Sequence, residues 1–201
     1  MPEIQELVEK SYDKIAKEYY RHRDLNKFNS ELDKFISLLP RDAIILDVGC
    51  GAGIPTAKYL VQKSMNVTGI DISDVMLKMA RENVPNGKFI KMDMTNLKFN
   101  NSTFDGIVSV YALFHVKKED HLSVFKQFHK ILKPGGILLI NTGITDSEGI
   151  GDFFGAPMFW SNHDPKITLN LLQETGFSII FEGILIRGGE FQYWILGRKN
   201  Y

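Results

Sequence analysis

An α/β fold is predicted for this 201-residue chain, with a mostly parallel sheet, helices on both faces and an antiparallel hairpin at the carboxyl end. Three features predict it. Past Pro40, short runs rich in Val and Ile alternate with amphipathic helical stretches, the pattern of strand–helix–strand units. The first of those runs empties into a glycine-rich turn, "DVGCGAG" at residues 47–53. The last quarter holds two strand-like runs joined by "RGGE" at 187–190, a tight-turn composition.

The elements follow in order. Ile4, Leu7, Val8, Ser11, Tyr12, Ile15, Ala16 and Tyr19 recur at steps of three and four, which is one face of a helix. Phe28, Leu32, Phe35, Ile36 and Leu39 outline a shorter second helix, and Pro40 ends it. Strand-like runs then fall at 43–48, 67–70, 88–92, 106–110 and 137–141, with helical stretches at 55–62, 73–83 and 119–132 between them. Ser73 followed by Asp74 is a helix start, and "KPGG" at 133–136 is a stop. Asp164 before Pro165 reads as an N-cap with proline in the first helical position, and Gly176 closes that helix. Strands at 178–186 and 191–197 complete the hairpin. The segment 142–163 is long for a connection; it is expected to be a covering loop with glycine hinges and an aromatic cluster.

Composition narrows the function classes. With 44% hydrophobic and 24% charged residues the chain is an ordinary globular protein, and its length suits one sizeable core. The 24 basic and 24 acidic side chains cancel, so net charge points to neither nucleic acid nor an anionic membrane. Cys50 stands alone, which excludes an intrachain disulfide and suits a reducing compartment. No run approaches the roughly 20 apolar residues of a membrane span, and "MPEIQELVEK" is too polar for a secretory signal. A cytoplasmic location is expected.

The glycine turn marks the candidate site. In an open parallel sheet ligands bind beyond the carboxyl ends of the strands, where the strand order reverses. Gly49, Gly51 and Gly53 let the backbone take positive φ and let a ligand approach without an intervening Cβ. Asp71 closes the next strand about 20 residues on, where a carboxylate can accept from ribose hydroxyls. Ile54 stands where a dinucleotide fingerprint would place its third glycine, and no Gly-Lys-Ser/Thr follows. A ribose is expected, without a pyrophosphate. A plain strand-to-helix turn is the competing explanation.

These motifs carry a resemblance. "ILDVGCGAG" (45–53) resembles the first motif of class I S-adenosylmethionine-dependent methyltransferases, and "GIDIS" (69–73) is similar to the second. "KMDM" (91–94), "TFDGIVSVYALFHV" (103–116) and "LKPGGILLI" (132–140) match the later ones in order and spacing. "YDKIAKEYY" (12–20) resembles the helical lid of the small-molecule branch. The resemblance implies a Rossmann-like seven-stranded sheet in a single domain, 1–201. Within it, 1–40 would be the helical lid, 41–145 the cofactor core, 142–163 the substrate cover, and 164–201 the terminal helix and hairpin. It implies S-adenosylmethionine as cofactor, S-adenosylhomocysteine as product, and a small-molecule acceptor taken by a monomer or homodimer. By the same resemblance Gly49 and Gly51 pack against the methionine part, Asp47 lies near its amino group, and Val110 and Tyr111 border that tail. Asp71 takes the ribose hydroxyls, Ile72 and Met94 sandwich the adenine, and Asp93 accepts from its amine. Tyr12, Tyr20 and Met76 are further cofactor contacts.

The sulfonium makes its own methyl group electrophilic, so the protein's task is to align a nucleophile and exclude water. A base is needed only for a protonated acceptor, and His115 and His163 are the candidates. Tyr19, His115, Phe153, Phe159 and Trp160 are expected around the acceptor. His121 and His129 are expected to be solvated on their helix. Asp146, Glu148 and Asp152 cluster in the long loop, but no metal site is expected. A cofactor-binding protein without catalysis is the alternative function.

Overall fold

The computed structural model describes residues 4–22, 28–187 and 189–200. Seven strands form one sheet in the order β3-β2-β1-β4-β5-β9-β8, and β6 and β7 form a separate pair. β1 (Ile44–Val48), β2 (Asn66–Asp71), β3 (Lys88–Lys91), β4 (Phe104–Ser109) and β5 (Leu132–Thr142) run parallel. β9 (Glu190–Lys199) lies antiparallel between β5 and the edge strand β8 (Phe177–Arg187). The chain moves outward one way through β2 and β3 and the other way through β4 and β5. The strand order therefore reverses beside β1, which opens a crevice at its carboxyl end.

Helices cover both faces, as the alternating pattern requires. On one, α2 (Asn29–Ile36), α3 (Thr56–Gln62) and α4 (Asp74–Asn83) contribute Leu32, Phe35, Leu60 and Leu77 to a core shared with Ile45, Val108 and Trp194. On the other, α5 (His121–Ile131) and α6 (Pro165–Glu174) bury Val124, Phe125, Phe128 and Leu172 against Leu46, Ile107 and Leu138. Each such side chain contributes about 1.5–3 kcal/mol on burial. The caps read from sequence form: Ser73 Oγ accepts from the Met76 amide at 3.0 Å, and Asp164 Oδ1 accepts from the Ile167 amide at 2.9 Å. No helix of the described residues is long and apolar enough to cross a membrane.

Three sequence expectations are corrected: the 142–163 loop and the solvated positions of His121 and His129. The 142–163 segment is not a hinged loop: β6 (Ser147–Phe153) and β7 (Ala156–Asn162) pair in antiparallel register from Ser147↔Asn162 to Phe153↔Ala156. The two-residue turn between them, Phe154 and Gly155, has φ of 53° and 76°, the left-handed pair that matches hairpin twist. Glycines at 149 and 151 hide the alternation in sequence; in the hairpin they stand opposite Trp160 and Met158. "KPGG" does stop α5, but it is absorbed into β5 as a bulge, since Phe104 pairs with Leu132 while Gly106 pairs with Ile137. His121 is buried, not solvated, because the first turn of α5 points it inward toward the Val116 carbonyl, 3.2 Å from Nε2. His129 is half-buried against Phe177.

α1 (Ile4–Arg21) lies outside both layers, across the carboxyl ends of the strands. Val8 and Ile15 pack on Met158 and Phe159 of β7, while Ala16 meets Met76 of α4.

Burial pushes His115 and His121 down to about 4, whereas an unfolded histidine titrates near 6.5. Between those values the unfolded chain binds more protons, so stability rises with pH through that window and is lost as pH falls from 6.5. Each ring adds up to ~1.4 kcal/mol per pH unit. Urea unfolding between pH 6.5 and 5 should show the midpoint falling with pH, and His121→Leu should remove about half of the slope.

Candidate functional site

A cleft opens at the carboxyl ends of β1, β2 and β4 and is roofed by α1. Its floor is the glycine turn. The amides of Gly49 and Cys50 both donate to the Ile70 carbonyl at 2.9 Å, which pins the turn to β2. Gly49 has φ of 72°, and a Cβ there would lie 2.3 Å from Cβ of Ala112, so only glycine lets the turn pass beneath the loop after β4. Gly51 has φ of 52° and a Cβ there would meet nothing within 4 Å: it faces open cleft.

Asp71 forms the next wall. One carboxylate oxygen accepts from the Gly51 amide at 2.8 Å and the other from the Ser73 amide at 2.9 Å. Burial raises its pKa from the usual carboxylate value, and those two amides oppose the rise. Each oxygen keeps a second lone pair for a ligand hydroxyl. Asp93 is held in the same manner, its Oδ1 accepting from the Thr95 amide at 2.8 Å while the residue borders the cleft. It caps its turn and faces the ligand space at once. Beyond β4, Tyr111 takes φ of 59° and its amide donates to Asn141 Oδ1 at 2.7 Å, locking that loop to β5.

α1 supplies the roof. Asp13 accepts from Ser73 Oγ at 2.5 Å, and Ser11 Oγ donates to the Pro157 carbonyl at 2.5 Å, so the helix is tied to α4 on one side and β7 on the other. Tyr12, Tyr19 and Tyr20 border the cleft, with the Tyr20 hydroxyl 3.4 Å from Asn83 Oδ1. His115, in a short 3₁₀ turn at Leu113–His115, is buried with Nε2 2.7 Å from the Tyr12 hydroxyl and Nδ1 2.8 Å from the Phe159 carbonyl.

The structure brings most of the expected residues together. Gly49, Gly51, Asp71, Ile72, Met76 and Asp93 border the cleft on one side, with Met94, Val110, Tyr111 and the α1 tyrosines completing it. Five expected residues lie elsewhere. Asp47 is buried in β1 beneath the turn. Phe153 and Trp160, on one face of the hairpin, stand behind the wall as packing for Tyr12 and His115, while Phe159, on the other face, joins the apolar cluster of Val8 and Ile15 and meets His115 only through its carbonyl. His163 points away, Nε2 2.9 Å from the Lys118 carbonyl and Nδ1 3.8 Å from Asp146. Gln5 and Val8 were not expected in the cleft, although they share the helical face of Tyr12. Asn141 was not expected either; nothing local in sequence couples it to Tyr111. Burial pushes the Cys50 thiol well up, so it is a neutral spacer in the turn. Among the described residues no group of three or more His, Cys, Asp or Glu is placed to hold a metal ion.

A profile described as "Methyltransferase domain" matches residues 45–136, the stretch that builds this cleft. In that stretch the chain is similar to class I S-adenosylmethionine-dependent methyltransferases. An uncharacterized methyltransferase of Oceanobacillus iheyensis is 28% identical over 140 residues, 70% of this chain and 59% of the relative. Across the first three curated relatives, the matched region covers 43–59% of their own length. The Burkholderia thailandensis 1,6-didemethyltoxoflavin-N1-methyltransferase, solved with bound 1,6-didemethyltoxoflavin and S-adenosylhomocysteine, shares the fold at a TM-score of 0.74 and 18% identity, covering 95% of this chain and 85% of that one. The [4+2]-cyclase SpnF shares it at 0.75 and 17%, covering 96% and 94%.

The family's cofactor fits the residues present. The open side of Gly51 is a cradle that a Cβ would fill, Asp71 is preset to accept from paired hydroxyls, and Asp93 with Ile72 and Met94 makes a polar edge between apolar faces. When bound, S-adenosylmethionine supplies an electrophilic methyl group on a positively charged sulfur. Asp71 and Asp93 place carboxylates around a cleft that no described Lys or Arg borders, a sign of potential suited to that cation.

The two glycines separate fold from binding. Gly49→Ala should cost roughly 2 kcal/mol or more through left-handed strain and overlap with Ala112. Gly51→Ala should cost only about 1 kcal/mol yet weaken S-adenosylhomocysteine binding at least about tenfold, its methyl group projecting into the cradle. Urea unfolding and calorimetric titration of both variants would distinguish the effects.

Proposed function

We propose that the chain transfers the methyl group of S-adenosylmethionine to a small-molecule acceptor by direct in-line displacement. One observation carries the reading. The cleft is continuous from the carboxylates of Asp71 and Asp93, past the glycine turn, to a wall made by Tyr12, Tyr19 and His115. Cofactor-binding groups and a polar aromatic wall thus share one enclosure, which is what alignment of an acceptor against a bound methyl donor needs. α1, backed by the β6–β7 hairpin, roofs that enclosure, which favours an acceptor of small size over a macromolecule. His115 serves as the base where the acceptor arrives protonated. The lone, buried Cys50 thiol suits a cytoplasmic protein.

A second reading is favoured by the likeness to the [4+2]-cyclase SpnF: the same cleft holds the cofactor without methyl transfer, since fold does not fix chemistry. Labelled-methyl transfer across a panel of small hydroxyl, amino and thiol compounds decides between them. Turnover on any of them supports the enzyme; tight cofactor binding with no turnover across the panel supports the second reading. In either case Asp71→Ala should weaken S-adenosylmethionine binding about tenfold or more, because it removes the ribose acceptor and frees the Gly51 and Ser73 amides. Unchanged affinity in that variant would refute the assignment of the cleft.

A further inference from the structure

Gln5 borders the cleft from the first turn of α1, half-buried, on the helical face it shares with Val8 and Tyr12. Among the described residues its carboxamide makes no hydrogen bond, whereas Asp71 and Asp93 are each held by backbone amides. The course of α1 fixes which part of the cleft Gln5 serves. One turn on, Glu9 accepts from Lys91 Nζ at 2.7 Å, and Lys91 ends β3 directly before Met92, Asp93 and Met94. Val8 packs in one apolar cluster with Ile72. Near the other end of the helix, the Tyr20 hydroxyl meets Asn83, whose amide donates to the Ala52 carbonyl of the glycine turn at 2.9 Å. α1 therefore crosses the cleft from the end of β3 to the glycine turn. Gln5 stands at the β3 end, about 10 Å along the helix axis from Tyr12. Its neighbours across the cleft are Ile72, Asp93 and Met94, the polar edge between apolar faces, and not the wall of Tyr12 and His115.

A carboxamide at that place has a specific chemistry. It carries an acceptor oxygen and an NH₂ donor side by side, and this pair matches the N6 amino group and N7 of adenine, one bond in each direction. The amino group has two hydrogens, so a carboxylate can take one and a carboxamide oxygen the other. An ionised carboxylate only accepts, so Asp93 cannot serve N7. We propose that Gln5 reads the N6/N7 edge of the cofactor's adenine, its oxygen accepting from the amino group and its nitrogen donating to N7, so that the roof helix itself selects the base. This rests on the assignment of the cleft to S-adenosylmethionine.

S-adenosylhomocysteine and its 7-deaza analogue S-tubercidinylhomocysteine, in which a C–H replaces N7, test the idea by calorimetric titration. The wild-type protein should bind S-adenosylhomocysteine at least about threefold tighter than the analogue, the worth of one hydrogen bond. Gln5→Met keeps an unbranched side chain of good helix propensity and removes the amide. That variant should weaken S-adenosylhomocysteine at least about threefold and cut the preference over the analogue by half or more. A wild-type preference under about threefold would overturn the proposal whether or not the variant folds. So would a Gln5→Met protein that keeps more than half of the preference, because a role confined to packing weakens both ligands alike. Both of those results leave S-adenosylhomocysteine bound and the cofactor assignment intact. A wild-type protein that binds neither ligand would refute that assignment, and this proposal with it.

Discussion

The carboxylate of Asp71 joins three parts of the chain that sequence keeps apart. It holds the Gly51 amide at the end of β1's turn and the Ser73 amide at the start of α4, and it closes β2 itself. Ser73 in turn caps α4 and donates to Asp13 of the roof helix. One side chain therefore sets the floor, a wall and, through Ser73, the position of the lid. Two backbone donors on a partly buried carboxylate are charge-assisted bonds, stronger than neutral ones and oriented. The same bonds that make the carboxylate tolerable under desolvation aim it at the cleft. Structural and binding roles cannot be separated at this residue, because the geometry that satisfies one satisfies the other.

Much of this was legible in sequence for a physical reason: the cofactor core is built from local signals. Strand, glycine turn and helix follow within residues 44–62, and Asp71 ends the next strand, so spacing alone puts Gly51 and Asp71 at neighbouring strand ends. The roof helix was legible for a similar reason, since an apolar stripe at three and four residue steps must face something. What escaped depends on long-range pairing. The β6–β7 hairpin was read as a loop because glycines break the alternation that marks a strand, and only its pairing restores it. Phe153, Phe159 and Trp160 were expected in the cleft on composition, but which face of a strand they occupy follows from register, which puts Phe153 and Trp160 together behind Tyr12 and His115 and Phe159 on the opposite face. His121 was expected in solvent because α5 begins later than its pattern suggested, and an added 3₁₀ turn at Lys118–Asp120 rotates it inward.

The polar chemistry of the cleft is sparse for a reason that follows from the cofactor. Methyl transfer from a sulfonium needs no metal, no acyl intermediate and no oxyanion hole; it needs a donor and an acceptor held in line with water kept out. The cleft is accordingly made of backbone bends, two carboxylates and rings. Even Tyr111, with its left-handed φ of 59°, is used for shape: its amide is anchored to Asn141 and its ring packs against Phe28 and Trp194. A strained backbone held at a ligand wall is stable only when neighbours over-determine it, and an amide bond plus two aromatic contacts do so here.

The roof has to satisfy opposing demands, and its contacts show how they are met. Closure must be firm enough to exclude water, yet α1 crosses the direct route into the cleft and must yield for exchange. Its outward tie is an exposed ion pair, Lys91 with Glu9 at 2.7 Å, worth at most about 1 kcal/mol. Its inward contacts are Val8, Ile15 and Ala16 on β7 and α4, a few kcal/mol of apolar burial, with the Asp13–Ser73 and Ser11–Pro157 hydrogen bonds adding about 1 kcal/mol each. That sum is small beside the two faces of the central core, so α1 belongs to the low-stability end of the molecule, where opening costs least. The Tyr12–His115 bond lies on the same seam. Opening the roof therefore separates the phenol from the imidazole, and the polar pair is assembled only when the cleft is closed around its contents.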